Sequence, residues 1–556
     1  MQAADRRARL GALKEERLQL ESKIRDLEAL VRKKDEEIAS LAPVYTLSDD
    51  VVAIILELAY RHHFPHCRLD DGHPHTNSPI PISHVSRWWR RQALSLPFLW
   101  SCIHVTSAQP PFHYAEAVKA YIERSSQLPL SISFLCLARD YENATKDMPY
   151  LDDAEFFGPI WTMYARSWRY LLAEKHRWKN CAMYLFHEDP ARALLPSLQG
   201  RTFPRLEYLG IACYSSSPFP DEIDDIVLTL DAPNLIELRA KTLPSICAAP
   251  SKLFSRLTEL NLCGVECSVG QLMSALNETT GTLERFTLSD AMFVRTSHTS
   301  FPSPMTFTKL SYLRLDGVVD SDIDGVPVPN RITCPLIYRA AVVLKTLAAD
   351  PNAVEDLSRA NVRLPTVKQL HLLKGDRKKL PVALLRTIPN IELLSTRPFW
   401  DLSPLLKASI EADRSSGSCV SWPHLQSLLL WTLGRTFGIF AQHRAHFGKP
   451  LKSCICRKDP VRLPSDILEI FQQVGLDFES YDNASPETQA LYDHTNQTWD
   501  EEVDKPIYTP WKGSYTFFDE FDRPKGRPMP RDSWLEDANL VGDAEPWFEP
   551  GHELDD

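Results

Sequence analysis

Glycine is scarce, with 20 in 556 residues, so the tight backbone turns that cradle phosphates are few. The chain contains no G-x-x-x-x-G-K loop, no G-x-S-x-G elbow and no H-E-x-x-H pair. The usual phosphate-binding, serine-nucleophile and zinc-hydrolase chemistries therefore lack their parts. Acidic residues are plentiful but never paired in apolar surroundings that would shift a carboxylate pKa. Long apolar runs are missing too: VVAIILELAY has ten residues and includes Glu57, well short of the roughly 18 needed to span a bilayer. An excess of positive charge is also absent. The formal charge of −11 argues against general nucleic-acid affinity, which depends on releasing counterions to a basic surface. The first residues are charged from Asp5 to Arg9 with no apolar core, so no secretory signal is expected. Twelve cysteines are scattered without regular spacing, the pattern of reduced thiols in the cytoplasm or nucleus. No catalytic residue, cofactor or metal is assigned, and the chain is expected not to be an enzyme.

With 44% apolar and 24% charged residues, the composition is that of a multidomain globular protein. Its charge is uneven: from Arg457 onward there are 24 Asp and Glu against 9 Lys and Arg. The sharpest periodicity comes first. Leu10, Ile24, Val31 and Ile38 share one heptad position, and Leu13, Leu20, Leu27 and Leu41 another. Arg17 and Lys34 interrupt the ten core positions. Alternating 3–4 spacing with dense charge elsewhere predicts a coiled coil over 1–42, a rod about 48 Å long through which residues 10–41 could form a homodimer.

Residues 43–106 read as a compact helical unit. Ser48 is positioned as an N-cap, and Asp49 and Asp50 suit the positive end of a helix dipole. Val51, Ile55, Leu58 and Ala59 then form a stripe. After a polar loop, ISHVSRWWRRQALSL reads as a second helix with Ile82, Val85, Trp89, Ala93 and Leu96 within roughly 80° of arc. Arg87 and Arg91 fall opposite, on the wet side. Trp88 is off the stripe, which points to a protein partner. The order L-x-x-x-V-x-x-x-I-x-x-L, V-S-R-x-W-R-x-x-A-L, L-P-x-L-W resembles an F-box of the kind found in fungal F-box proteins. Leu47, Val51, Ile55 and Leu58 match its first helix, Val85, Trp89, Arg90 and Ala93 its next, and Pro97, Leu99 and Trp100 its close. Ser48 stands where the family usually has proline, and Ser86 where it often has cysteine. RSSQLPLSISF (124–134) and HRWKNCAMYLF (176–186) resemble segments that follow the F-box in those proteins. The resemblance implies docking on a Skp-type adaptor, and through it a cullin, by Leu47, Val51, Ile55, Leu58, Val85, Trp88, Trp89, Leu99 and Trp100.

After a linker and cap over 107–202, a repeat starts. Leu206, Leu209 and Ile211 recur as Leu235 and Leu238, as Leu257, Leu260 and Leu262, and as Leu283, Phe286 and Leu288. Further copies are Leu310, Leu313 and Leu315; Val367, Leu370 and Leu372; Ile391 and Leu394; and Leu425, Leu428 and Leu430. The first steps of 29, 22, 26 and 27 residues fit degenerate leucine-rich repeats over 203–450, an irregular strand–helix solenoid. The double-length gap after Leu310 predicts a degenerate member near Leu336. In L-x-x-L-x-L the leucines face inward, so alternation places Tyr208, Glu237, Arg239, Glu259, Asn261, Arg285, Tyr312, Arg314, Gln369 and His371 on the concave face. Tyrosine and arginine are enriched at binding hot spots, which makes Tyr312 and Arg314 the strongest client-binding pair.

The whole reads as a mixed α/β chain: coiled coil, F-box, solenoid, then an acidic, Trp-containing tail over 451–556 that is partly disordered. By resemblance it is a substrate adaptor, linking an unknown client to a cullin–RING ubiquitin ligase by proximity. The alternative is a coiled-coil scaffold that recruits no ligase. Three features compete weakly. The histidines of HHFPHCRLDDGHPH (62–75) and the pair Cys454 and Cys456 lack the two-armed spacing of zinc sites. LPSDILEIF (463–471) imitates an F-box opening, but no Val…Trp-Arg helix follows, so it reads as a short amphipathic helix.

Overall fold

Ser86 interrupts the helix that the pattern of 82–96 suggests. The computed structural model describes residues 2–41, 47–63, 79–106, 114–136, 164–185, 194–213, 228–242, 246, 251–294, 306–321, 327–328, 336, 342–359, 362–373, 381–396, 402–430, 435–456 and 465–480. All belong to the first of two units, Met1–Val503 and Asp504–Asp556. A long helix α1 (Gln2–Leu41) precedes α2 (Asp49–His63), α3 (Pro79–Val85) and α4 (Arg87–Ser95). Ser86 is extended (φ −161°, ψ 170°), and its side chain caps α4 by accepting from the Trp89 amide at 3.3 Å. One extended residue resets the helical phase, so Val85 leaves the buried stripe and is 66% exposed. The unit closes around Val52, Leu56, Ala93, Leu99 and Trp100. Gln92 donates to the Asp49 carboxylate at 2.6 Å, tying α4 to the start of α2. Trp100 Nε1 donates to the Ala93 carbonyl at 2.8 Å.

Beyond this unit, strand order follows chain order. One open sheet holds β1 (Cys102–Thr106), β2 (Leu130–Cys136), β3 (Trp178–Leu185), β4 (Tyr208–Cys213), β5 (Glu237–Lys241) and β6 (Glu259–Cys263). A short β7 (Glu266–Ser268) leaves it, β8 (Arg285–Ser289) returns, β9 (Met292–Val294) leaves, and β10 (Tyr312–Asp316) returns. After β11 (Val319–Ser321) and β12 (Pro327–Val328) come β13 (Thr346–Ala349), β14 (Gln369–Leu372), β15 (Leu393–Thr396), β16 (Ser427–Leu430), β17 (Ser453–Cys456) and β18 (Asp477–Ser480). Every pair in the large sheet is parallel. Strands β7, β9, β11 and β12 form a second, small sheet.

The repeated leucines explain this register. Leu209, Leu238, Leu260, Phe286, Leu313, Leu347, Leu370, Leu394 and Leu428 fall on one line, each within 1% of full burial. Each such side chain stabilises the fold by roughly 1.5–3 kcal/mol. They share a single core with helices on the same face: α5 (Tyr114–Arg124), a helix over 164–173, α6 (Val269–Asn277), α7 (Pro351–Arg359), α8 (Ser403–Ser416), α9 (Arg435–His446) and α10 (Ser465–Gln473). The degenerate repeat member is Leu344, Leu347 and Ala349 around β13, not the segment near Leu336. Three strands, β1 to β3, precede the expected start, and β17 and β18 follow the expected end. Of LPSDILEIF, the residues from Ser465 onward form α10, whose Phe471 ring packs edge-on against Phe437 at 5.5 Å.

Two features hold the stack together. At successive strand ends, Thr242, Gly264, Asp290 and Gly317 take left-handed backbone, with φ between 48° and 60°. The first three donate their amides to the next rung's carbonyls, Cys263, Ser289 and Asp316, at 2.7–2.8 Å. Gly317 donates to Asp350 Oδ2 at 2.7 Å, and a side chain there would run into Asp290. Further along, the buried Arg444 guanidinium donates to the carbonyls of Trp422 and Leu425 at 2.9 Å, Lys449 at 3.1 Å and Ser421 at 3.4 Å. Beside it Asp413, fully buried, accepts from the amides of Val420 and Ser421 at 2.9 and 2.8 Å.

Candidate binding surfaces

The helix α2 is apolar on two sides. One side, Val52 and Leu56, fills the core of the small unit. The other exposes Val51 (41%), Ile54 (55%), Ile55 (45%) and Leu58 (58%), at the i, i+3, i+4, i+7 spacing of one helix face. Large exposed apolar patches are a feature that interaction surfaces share. Of the residues singled out from the sequence, Val51, Ile55, Leu58 and Val85 are exposed, and Leu47, Trp88 and Trp89 are half-buried. Trp88 and Trp89 meet edge to face at 5.2 Å. Leu99 and Trp100 are 0% and 1% exposed, so they belong to the core beneath the surface and not to the surface itself. Ile54 was missed because α2 is apolar on both sides, and the wheel alone does not say which side is buried.

Along α1, Leu13, Leu20, Ile24, Leu27 and Val31 are each about half exposed, so among the described residues these positions of the heptad face are not packed into a core. Arg17 and Lys34 pair instead with Glu21 (3.3 Å) and Glu37 (2.6 Å) along the helix.

The second surface is the sheet face opposite the core. Register places Tyr208, Glu237, Glu259, Arg285, Tyr312, Thr346 and Gln369 in one row, and Arg239, Asn261, Thr287, Arg314, Ala348 and His371 in the next. All ten residues derived from alternation therefore share this face. Thr346 and Ala348 join them from the rung that the spacing misplaced, and Lys241 and Asp316 extend the face at the strand ends. The charges form a chain across rungs. Arg239 donates to Glu237 at 2.6 Å and Glu259 at 3.1 Å. Arg285 lies 3.7 Å from Glu259, with its guanidinium 4.6 Å over the Tyr312 ring. Arg314 pairs with Asp316 at 3.1 Å. Burial pushes the Tyr312 phenol up, opposed by Arg314 and Arg285. Arg314 is 5% exposed, so Arg285 is the arginine that reaches outward beside Tyr312.

Among the described residues no group of three metal-ligating side chains converges and no helix is long and apolar enough to cross a membrane. Cys454 and Cys456 line the inner face of β17, and burial pushes the Cys454 thiol well up. Cys213 is likewise pushed up to about 12. Neither thiol is poised to react. The histidine-rich loop from 64 to 75 and the tail from 481 onward lie outside the described residues. Compared with known proteins, the chain matches no family model and no curated sequence.

Proposed function

We propose that the chain is a substrate adaptor of the F-box type, in which residues 43–106 dock a Skp-type adaptor and a leucine-rich-repeat solenoid presents a client. The observation that carries this reading is the exposed face of α2. Four large aliphatic side chains lie on one side of a helix whose other side is already packed. Such a face favours an apolar protein partner. A sheet built of sequential parallel rungs supports the solenoid half of the reading, because each rung buries its leucines only against neighbours. The chain then makes and breaks no bond. It raises the local concentration of client lysines near a charged conjugating enzyme, in the cytoplasm or nucleus, without cofactor, membrane or nucleic acid.

The test is co-purification of the full chain with a Skp-type adaptor. A stoichiometric complex is expected, and its absence favours the scaffold reading. For the client, Tyr312→Ala with Arg285→Ala removes the outward pair while leaving the Arg239 and Arg314 ion pairs in place. We expect adaptor binding to be unchanged and client capture, read by affinity purification under proteasome inhibition, to be lost. An unchanged capture profile would move recognition elsewhere.

The exposed heptad positions of α1, Leu13, Leu20, Ile24, Leu27 and Val31, support self-association through residues 10–41 in either reading. Replacing Arg17 and Lys34 with leucine extends the apolar seam and is expected to strengthen it at least about tenfold by sedimentation. A monomer for both forms at micromolar concentration would exclude the dimer.

A further inference from the structure

The edge of the sheet on which the strands begin carries a groove that belongs to neither surface described above. Arg205, Asn234 and Arg256 each stand three residues before the paired positions Tyr208, Glu237 and Glu259. They therefore occupy equivalent sites on three successive rungs, and the two arginines stand about 9.6 Å apart at roughly 4.8 Å per rung. Together with Lys179, Glu207 and Ile236 they help line an open groove of about 490 Å³. Arg205, Asn234 and Arg256 are exposed, and Ile236 is 44% exposed.

The charge in this groove is not balanced from within. The one carboxylate lining it, Glu207, pairs with Lys179 at 3.4 Å. Asn234 donates to the Pro204 carbonyl at 2.7 Å and accepts from Arg256 at 3.1 Å, so a neutral group holds Arg256 in place. Among the described residues Arg205 has no hydrogen-bond or ion-pair partner. The next carboxylate along the edge, Glu284, lies on the rung beyond Arg256 and outside the groove. Two guanidinium groups thus flank an exposed aliphatic side chain with no counter-charge between them.

We infer that this groove binds an extended acidic segment of a partner protein, with two carboxylates three residues apart and an aliphatic residue between them. In a polyproline-type chain three residues complete one turn and advance about 9.3 Å. Every third side chain then returns to the same side at the spacing of the two arginines. The residues between project to the flank, where Ile236 stands. The guanidinium fork matches a carboxylate, and fixing Arg256 in advance lowers the ordering cost of binding. Nucleic acid is the less favoured occupant, since its phosphate chain makes no use of an isoleucine between the cations.

Fluorescence anisotropy of a labelled synthetic peptide, Gly-Ser-Glu-Leu-Pro-Glu-Ser-Gly, against the full-length protein provides the test. Saturable binding is expected, weakening as salt screens the charges. Arg205→Ser with Arg256→Ser should weaken it at least about tenfold through the loss of two charge-assisted contacts, and Ile236→Ser at least about threefold. All three side chains are exposed, so both variants should melt as the wild type does. A peptide with glutamine for both glutamates should not bind, and one with the glutamates adjacent should bind more weakly. No saturable binding to the wild type, or wild-type affinity in the doubly substituted chain, would overturn the inference. Equal binding of the spaced and adjacent acids would overturn the assigned partner, leaving unspecific charge attraction. Tighter binding of single-stranded RNA, lost in the same variant, would overturn it in favour of nucleic acid. The groove is separate from the adaptor and client surfaces and its test uses neither partner, so its failure leaves the proposed function standing, and a failed adaptor co-purification leaves the peptide result valid.

Discussion

Ile55→Asp with Leu58→Asp is expected to abolish capture of a Skp-type adaptor, lowering affinity at least about 100-fold, while the free chain melts as the wild type does. Both side chains are about half exposed and outside the core of the small unit, and substitutions at such positions usually change stability by no more than about 0.5 kcal/mol. At an interface the same positions become buried. Losing a large aliphatic contact there costs roughly 1.5–3 kcal/mol, and each carboxylate must also be desolvated. Two such positions exceed the ~2.8 kcal/mol that separates affinities 100-fold apart. Co-purification of the variant at wild-type yield would show that α2 is not the docking helix. Val52→Asp is the contrasting control: Val52 is 1% exposed, so that change should unfold the unit and lose binding for a different reason.

Arg444→Ala is expected to weaken the last rungs by about 3–5 kcal/mol, the range for removing one side of a buried polar network. Its guanidinium serves four backbone carbonyls at 2.9–3.4 Å, and alanine leaves them without that donor. The loss is local, since each rung touches mainly its neighbours. Amide exchange should therefore rise about 100-fold or more in β16 and β17, with little change in β4 to β6. Arg444→Lys should recover only part of the protection, because an ammonium lacks the planar fork that reaches several carbonyls at once. Uniform exchange across the sheet in the alanine variant would contradict a local role.

The inner face of the sheet was legible because leucine recurs wherever a strand meets the core. Where other residues fill the same positions, the pattern went silent. β1 uses Ile103 and Val105, β3 uses Cys181 and Met183, β13 ends on Ala349, and β17 uses Cys454 and Cys456. Buried volume, not leucine identity, is what packing requires. The left-handed corners were hidden for a related reason, since Thr242 and Asp290 occupy positions where glycine is the usual signal. The polar face followed from strand alternation alone. Its ion-pair chain did not, because Arg239 and Glu259 are twenty residues apart and meet only through register. On α4 the wheel misplaced Val85, because one extended serine between two short helices carries no hydrophobic signature.

Because the strands of the large sheet stack in chain order and every pair in it is parallel, the sheet has a mechanical character as well as a thermodynamic one. Force applied between its two ends does not shear many rungs at once; it loads the terminal pair, then the next. The molecule should extend under tension in steps of one repeat, about 22–29 residues of released chain for the first copies. A client held on the middle rungs would act as a clamp, raising the force at which those rungs part while leaving the end rungs unchanged.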